Sequence, residues 1–356
     1  MTHPPTMQLF AGVDTHADTH HAAVIDQLGR HLADAGFPAT TTGYHALQTW
    51  LARIGDITAI GVEGTGSYGA GLTRHLHAAG LTVIEVNRPD RKARRNHGKS
   101  DPIDAYAAAA AVASGRATAT PKTGDGTVEA IRVLKIARTS AVKDRTATIN
   151  QIRTLLITAQ ESLRTPTTHL NTTALITHLS RLRPGTDPAN QPLNATKTAL
   201  RALARRYQLL HQQTTELDKQ IGTLIQATNP ELLQVYGAGV ETASQLLITA
   251  GDNPQRLRTA ASFAALCGVA PIPATSGKTS HRHRLCRGGD RQANRALHTI
   301  ALTRMSHDPR TRAYTTRRTA EGLSKKDIMR CLKRYIANEI HRILTHQNTT
   351  QPTPTP

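Results

Sequence analysis

The sequence predicts an α/β amino-terminal domain, then a long helical linker, then a mainly α-helical carboxy-terminal domain. Three observations carry that expectation. Short apolar runs bounded by turn residues recur as far as Val86, with a strand–helix–strand alternation over Ile57–Val86. Two long stretches of helical periodicity follow, Thr127–Glu161 and Ala199–Ala227. Beyond the boundary marker Asn229-Pro230, apolar positions again keep helical spacing. The expected divisions are a flexible start at 1–8, an α/β domain at 9–120, a helical arm at 121–228, a carboxy-terminal domain at 229–345 and a disordered Thr/Pro tail at 346–356.

The elements follow in order. Leu9–Asp14, His21–Asp26 and His31–Phe37 read as three strands in close succession, a meander. Thr42–Arg53 is an amphipathic helix with Tyr44, Leu47, Trp50 and Leu51 on one side. Ile57–Glu63, Ala70–Ala79 and Leu81–Val86 form a β–α–β unit, whose crossover should be right-handed. The alanine run Tyr106–Ala113 is helical by propensity. Thr186–Thr198 reads as a loop between the two long helices, which suit an antiparallel arm for dimerisation or for bracing nucleic acid. Near the end, Gln292–Met305 and Ser324–Thr345 are further helices.

Charge narrows the function. Lys+Arg outnumber Asp+Glu 44 to 25, a formal net charge of +19 that points to a polyanionic partner, nucleic acid first. Aromatic residues make up only 3%, which favours backbone contacts over base stacking. No apolar run is long enough to span a bilayer and Met1–Phe10 lacks a signal-peptide pattern, so a cytoplasmic protein without membrane contact is expected. Cys267, Cys286 and Cys331 show no close pairing, in keeping with a reducing compartment.

The most informative stretch is Gly98-Lys99-Ser100-Asp101-Pro102-Ile103-Asp104-Ala105. Asp101 and Asp104 stand three apart at a helix start, so they share a face. Ser100 as N-cap, Pro102 in the first turn and acids near the positive end of the dipole describe an ordinary helix start equally well. Asp14 and Glu63 end strands, where ligands of α/β sheets gather. An RNase-H-like sheet would bring all four acids together, and four suffice for two Mg²⁺ ions, with Mn²⁺ as a substitute, roughly 3.5–4 Å apart in phosphodiester transfer.

Basic tracts accompany the acids. Arg88, Arg91, Lys92, Arg94, Arg95 and Lys99 precede the Asp pair, and Lys278, Arg282, Arg284, Arg287 and Arg291 cluster late in the chain. Both read as phosphate-binding groups, with a solvated charge run as the alternative. The Gly64-Thr65-Gly66-Ser67-Tyr68-Gly69 loop lacks the spacing of a nucleotide fingerprint and reads as a tight turn. Gly237-Ala238-Gly239, opening a helix to Ala250, is either a phosphate-binding turn or a plain interhelical one. His281, His283 and Cys286 resemble zinc ligands in type but lack a partner pair at zinc spacing.

Taken together, Gly12–His20, Gly61–Gly69, Asn87-Arg88-Pro89 and Gly98–Ala105 resemble the DEDD transposases of the "one-ten" insertion-sequence family, related to the Piv invertases. Gly237 to about Met305 resembles the second, transposase domain of that family. The resemblance implies a RuvC-like domain with the metal ligands Asp14, Glu63, Asp101 and Asp104, and a carboxy-terminal serine nucleophile falling on Ser276. It also implies donor and target DNA as substrates, a guide (bridge) RNA that pairs with them, and a homo-oligomer, dimer or tetramer, whose subunits share a composite site. Two departures stand out. Ala17 occupies a position where family members often carry Lys, and Thr275-Ser276-Gly277 replaces the common Ser-Ser-Gly-Gly, leaving Thr275 and Ser276 as candidate nucleophiles with the primary hydroxyl preferred. The rival readings are a RuvC-like structure-selective nuclease without serine chemistry and a non-catalytic nucleic-acid-binding protein.

Overall fold

The computed structural model describes residues 7–86, 100–186, 191–274, 283–285 and 288–346. Two compact units emerge. One comprises the described residues of 1–129, 249–264 and 344–356; the other comprises those of 130–248 and 265–343.

The first unit is built on a mixed five-stranded sheet of order β3-β2-β1-β4-β5. Strands β1 (Leu9–Thr15), β2 (Thr19–Asp26) and β3 (His31–Pro38) form the expected antiparallel meander. Strands β4 (Ile57–Glu63) and β5 (Val83–Val86) extend it in parallel with β1. Helix α1 (Thr41–Ile54) is capped by the Thr40 hydroxyl, which accepts from Gly43 N. With α2 (Ala70–Ala78) it covers one face of the sheet: Leu47, Leu51, Leu72 and Leu76 pack on Ala11, Val13, Ile60 and Val62. These are alternate strand positions, as period-2 geometry requires.

Helix α3 (Asp101–Ala113) covers the other face, where Ala108 and Val112 pack on Ala59 and Val86. It lies unusually close because both partners are small. A Cβ added to Gly12 would fall 2.1 Å from the carbonyl oxygen of Ala105 and 2.3 Å from the amide of Ala109. One added to Gly61 would fall 2.9 Å from the carbonyl oxygen of Ala108. The helix backbone therefore rests directly on the strands, and the alanine run serves contact as well as propensity.

Residues 249–264 close this unit. The Asp252 carboxylate accepts from Val128 N at 2.7 Å and Glu129 N at 3.2 Å, satisfying amides at the start of helix α4 (Thr127–Thr158). Asn253 donates to the Pro121 carbonyl at 2.9 Å.

In the second unit, the later part of α4 packs with α5 (Glu161–Arg164), α6 (Thr172–Ser180) and α7 (Gln191–Thr228) around Ile152, Leu163, Leu179 and Leu200. Helix α7 starts earlier than the sequence suggests. The segment read as a loop over Thr186–Thr198 is helical from Gln191, with Thr196 and Thr198 donating to the carbonyls of Pro192 and Asn194 four residues back. Proline in a first turn costs no hydrogen bond, so Pro192 did not mark a break. The helix expected to run to Glu161 ends at Thr158, and α5 begins at Glu161.

Helices α8 (Glu231–Gln234), α9 (Val240–Ala250) and α10 (Ala260–Leu266) lead to an antiparallel hairpin, β6 (Pro271–Pro273) with β7 (His283–Leu285). Helix α11 (Arg291–His307) is capped by Asp290 and α12 (Pro309–Ala320) by Asp308; α13 (Lys325–His346) follows. The hairpin and α12 were not legible in the sequence. Gly239 N donates to Thr242 Oγ1 at 3.0 Å, so the Gly237-Ala238-Gly239 element uses that amide in its own turn. No helix among the described residues is long and apolar enough to cross a membrane.

Two outcomes follow from this packing. Gly12→Ala should lower stability by about 1–3 kcal/mol in denaturant unfolding, because the methyl group has backbone on both sides and nowhere to go; an unchanged midpoint would rule out the close contact. The second concerns His20, 1% exposed, whose Nδ1 lies 3.1 Å from the Thr19 carbonyl and whose Nε2 is buried without a partner. Burial, outweighing the Thr19 hydrogen bond, lowers its pKa from 6.5. Its contribution is thus full above the unfolded value and lost as pH falls toward the folded one. Between about pH 7.5 and about pH 5.5 the melting temperature of the wild type should fall more steeply than that of His20→Phe.

Candidate active site

The Gly12 and Gly61 contacts fix where the acids go. Both glycines present their missing side chains to α3, so Asp14 and Glu63, each two residues further along its strand, belong to the same sheet face. The strands are parallel and in register, with Val13 beside Val62, which sets Asp14 level with Glu63. Phe10 packs in the same cluster as Val112 while Gly12 meets Ala105, so the amino-terminal turn of α3 lies toward Asp14. Asp101 and Asp104 occupy that turn.

Burial separates this arrangement from a simple helix start. Asp14 is 6%, Glu63 9% and Asp104 3% exposed, whereas an acid serving only the helix dipole would stand in solvent, as Asp101 does. Ser100 has the extended backbone of an N-cap, but its hydroxyl makes no capping hydrogen bond. Carboxylates gathered in a poorly solvated place repel one another unless a cation is shared, and their oxygens suit a hard divalent ion. The residues therefore fit a metal.

Among the described residues, the tightest group of ligand atoms belongs to Asp14, His16 and Asp101, all within 4.8 Å of one another. His16 Nδ1 lies 3.7 Å from Asp14 Oδ2. Sequence reasoning passed over His16 because histidine is abundant in this chain. Its signal was the two-residue spacing from Asp14, which puts alternate residues of an extended segment on one side. Glu63 and Asp104 hold the adjacent strand end and the inner side of the same helical turn, outside that tightest group.

The loop after β4 is a tight turn, as its glycines suggest. Ser67 N and Gly69 N both donate to the Gly64 carbonyl, and Gly64 has φ +70°. Thr15 Oγ1 donates to the Glu63 carbonyl at 2.8 Å, tying the ends of β1 and β4 together beside the acids. Tyr68 on this loop is 60% exposed.

Of the basic residues singled out, Arg284 lies on β7 and Arg291 opens α11, both exposed and both in the second unit. Arg88, Arg91, Lys92, Arg94, Arg95, Lys99, Lys278, Arg282 and Arg287 lie outside the described residues, as do Thr275, Ser276, His281 and Cys286. The basic run beside the Asp pair and the serine are therefore placed by sequence alone.

Comparison with known proteins places the sequence. Residues 11–159 match the family model for the DEDD transposase of IS110, described as a transposase, and they include all four acids. Residues 229–316, which include Ser276, match that of the transposase IS116/IS110/IS902 family. The chain is 38% identical over 123 residues to the uncharacterized 43.6 kDa protein of insertion element IS110 from Streptomyces coelicolor, covering 34% of this chain and 30% of the relative. It is 29% identical over 113 residues to the uncharacterized 42 kDa protein of insertion element IS900 from Mycobacterium paratuberculosis, covering 32% and 28%. A mini-circle protein for IS117 from Streptomyces coelicolor is 32% identical over 159 residues, covering 42% and 38%. The chain thus spans well under half the length of these relatives. With two family models matched in order along its length, the chain belongs to the IS110 family of DEDD transposases.

Proposed function

We propose that this chain is a DNA transposase that cleaves and exchanges strands at an RNase-H/RuvC-like metal site, with Ser276 as nucleophile. The carrying observation is the placement of Asp14 and Glu63 level with each other on parallel strands, under the helical turn that bears Asp101 and Asp104. The sheet order β3-β2-β1-β4-β5, with the acids on its central parallel pair, supports the RuvC-like reading. Asp14, Glu63, Asp101 and Asp104 would hold divalent ions, Mg²⁺ or Mn²⁺, with His16 as a further ligand beside Asp14 and Asp101. Such ions supply charge stabilisation at phosphoryl oxygens and at the leaving oxygen.

The chain's own residues do the rest. The carboxylates fix the reacting phosphate by fixing its counter-charge; Asp14, Glu63 and Asp104 do so from buried positions and Asp101 from the exposed side of the helical turn. The Ser276 oxygen forms a bond to phosphorus as the bond from phosphorus to a sugar oxygen breaks; the serine proton leaves and the sugar oxygen gains one. The phosphoserine ester keeps the bond energy for rejoining. Donor DNA, target DNA and a guide RNA are the partners in this reading, in a homo-oligomer and in the cytoplasm, and the +19 charge supports polyanionic partners.

Two variants test the reading on supercoiled DNA carrying the element's ends. Asp101→Asn should reduce strand cleavage by about 10²–10³-fold with an unchanged circular dichroism spectrum, the range typical for loss of one preorganised charge-stabilising group. Full activity would overturn the metal-site role. Ser276→Ala should abolish both strand exchange and the denaturant-resistant protein–DNA adduct; undiminished cleavage and exchange would remove the serine from the mechanism and leave a metal-dependent nuclease.

A further inference from the structure

A cleft of about 740 Å³ opens in the second unit, with β6 and β7 contributing to one wall and the start of α13 to another. Six cations line it: Arg284, Arg318, Lys326, Arg330, Lys333 and Arg334. Asp327 is the single acid among the described lining residues, and it is already engaged, accepting from Ser324 Oγ at 2.6 Å and Arg330 Nη1 at 2.8 Å. The cleft is therefore strongly positive by its own composition.

Two of these cations are held in an unusual way. Lys333 is 7% exposed, and its ammonium donates at 2.9 Å to Asn294 Oδ1, an uncharged acceptor. Asn294 is itself anchored, its amide donating to the carbonyls of Cys267 and Gly268 at 3.1 and 2.9 Å. A buried ammonium that meets a neutral amide in place of a carboxylate is costly, and the cost falls when an anion arrives. Burial, then the nearby Arg330, lower the Lys333 pKa, the direction expected of a cation short of negative charge. Arg318 uses Nη1 on Glu321, while its Nε is buried with no hydrogen-bond partner. Both groups have donor capacity left over.

The spacing favours a chain of charges over a single anion. Lys326, Arg330, Lys333 and Arg334 fall at i, i+4, i+7 and i+8 on α13, a stripe spanning about 12 Å at helical rise. Laid along a duplex, that length spans about three phosphates of one strand, one per about 3.4 Å of helix axis. Tyr335, 58% exposed, offers an aromatic face to a sugar or base. In sequence, Pro273 and His283 at the ends of the hairpin strands flank the segment that carries Ser276.

We infer that this cleft seats the phosphodiester backbone of a nucleic-acid strand, with Lys333 and Arg318 as inner phosphate ligands and Arg284, Lys326, Arg330 and Arg334 around them. The assignment rests on the proposed function only in requiring a nucleic acid as partner; it does not depend on the acidic site or on Ser276.

Binding of the full chain to a labelled DNA duplex and to a labelled RNA hairpin, followed by fluorescence anisotropy over a salt series, tests it. Lys333→Met should lower the slope of log Kd against log salt by about 1, and the double variant Arg284→Ala/Lys326→Ala by about 2. The melting temperature of Lys333→Met should hold or rise, since an apolar side chain replaces a buried charge; a merely structural lysine would lower it and leave the slope alone. A reduced slope with either nucleic acid supports the cleft and names which strand it holds. Should Lys333→Met fail to fold, the double variant decides. Wild-type slopes in every variant overturn the cleft and leave the transposase reading standing, whereas a wild-type chain that binds neither nucleic acid overturns both.

Discussion

Everything at the acidic site depends on how near a helix backbone comes to a sheet. At Gly12 and Gly61 there is no side chain, and at Ala105, Ala108 and Ala109 there is almost none, so α3 meets β1 and β4 at backbone distance. A helix held off by ordinary side chains sits about 10 Å from a sheet and tolerates sliding; one locked onto two glycines has a single register. That register sets the turn bearing Asp101 and Asp104 at the end of the sheet where Asp14 and Glu63 emerge. The acids are four positions spread over ninety residues of sequence, yet two missing side chains hold their alignment.

Much of this was legible in the sequence, and the reasons are local. Strand ends at Asp14 and Glu63 follow from short apolar runs that stop, and α3 follows from an alanine run behind a proline. Period-3.6 patterns report which way a side chain faces, so Asp101 and Asp104 share a helix face by spacing alone, and Asp14 and Glu63 read as strand ends. What stayed hidden depended on partners far along the chain. His16 gains meaning only from its distance to Asp101. The hairpin of β6 and β7 joins three-residue strands, too short for any periodicity, across a nine-residue separation. The early start of α7 was masked by Pro and Asn, residues that break helices inside but not in a first turn.

The molecule also divides its charges by task. Negative groups are few, and three of them, Asp14, Glu63 and Asp104, are buried toward one sheet end. Positive groups are many, and on α13 they form a stripe facing a cleft. A charge of +19 alone would draw polyanions without selectivity; the buried Lys333, held by the half-buried Asn294, would add geometry to that attraction.

The carboxylate of Asp252 closes the start of α4 although it lies 124 residues beyond Val128. Residues 249–264 thus complete a unit whose sheet was finished by Val86. Those residues follow both long helices in sequence, so the amino-terminal unit draws its last packing from a distant part of the chain. The unit is therefore discontinuous in sequence, and a chain cut before residue 249 would leave the first amides of α4 without their carboxylate partner.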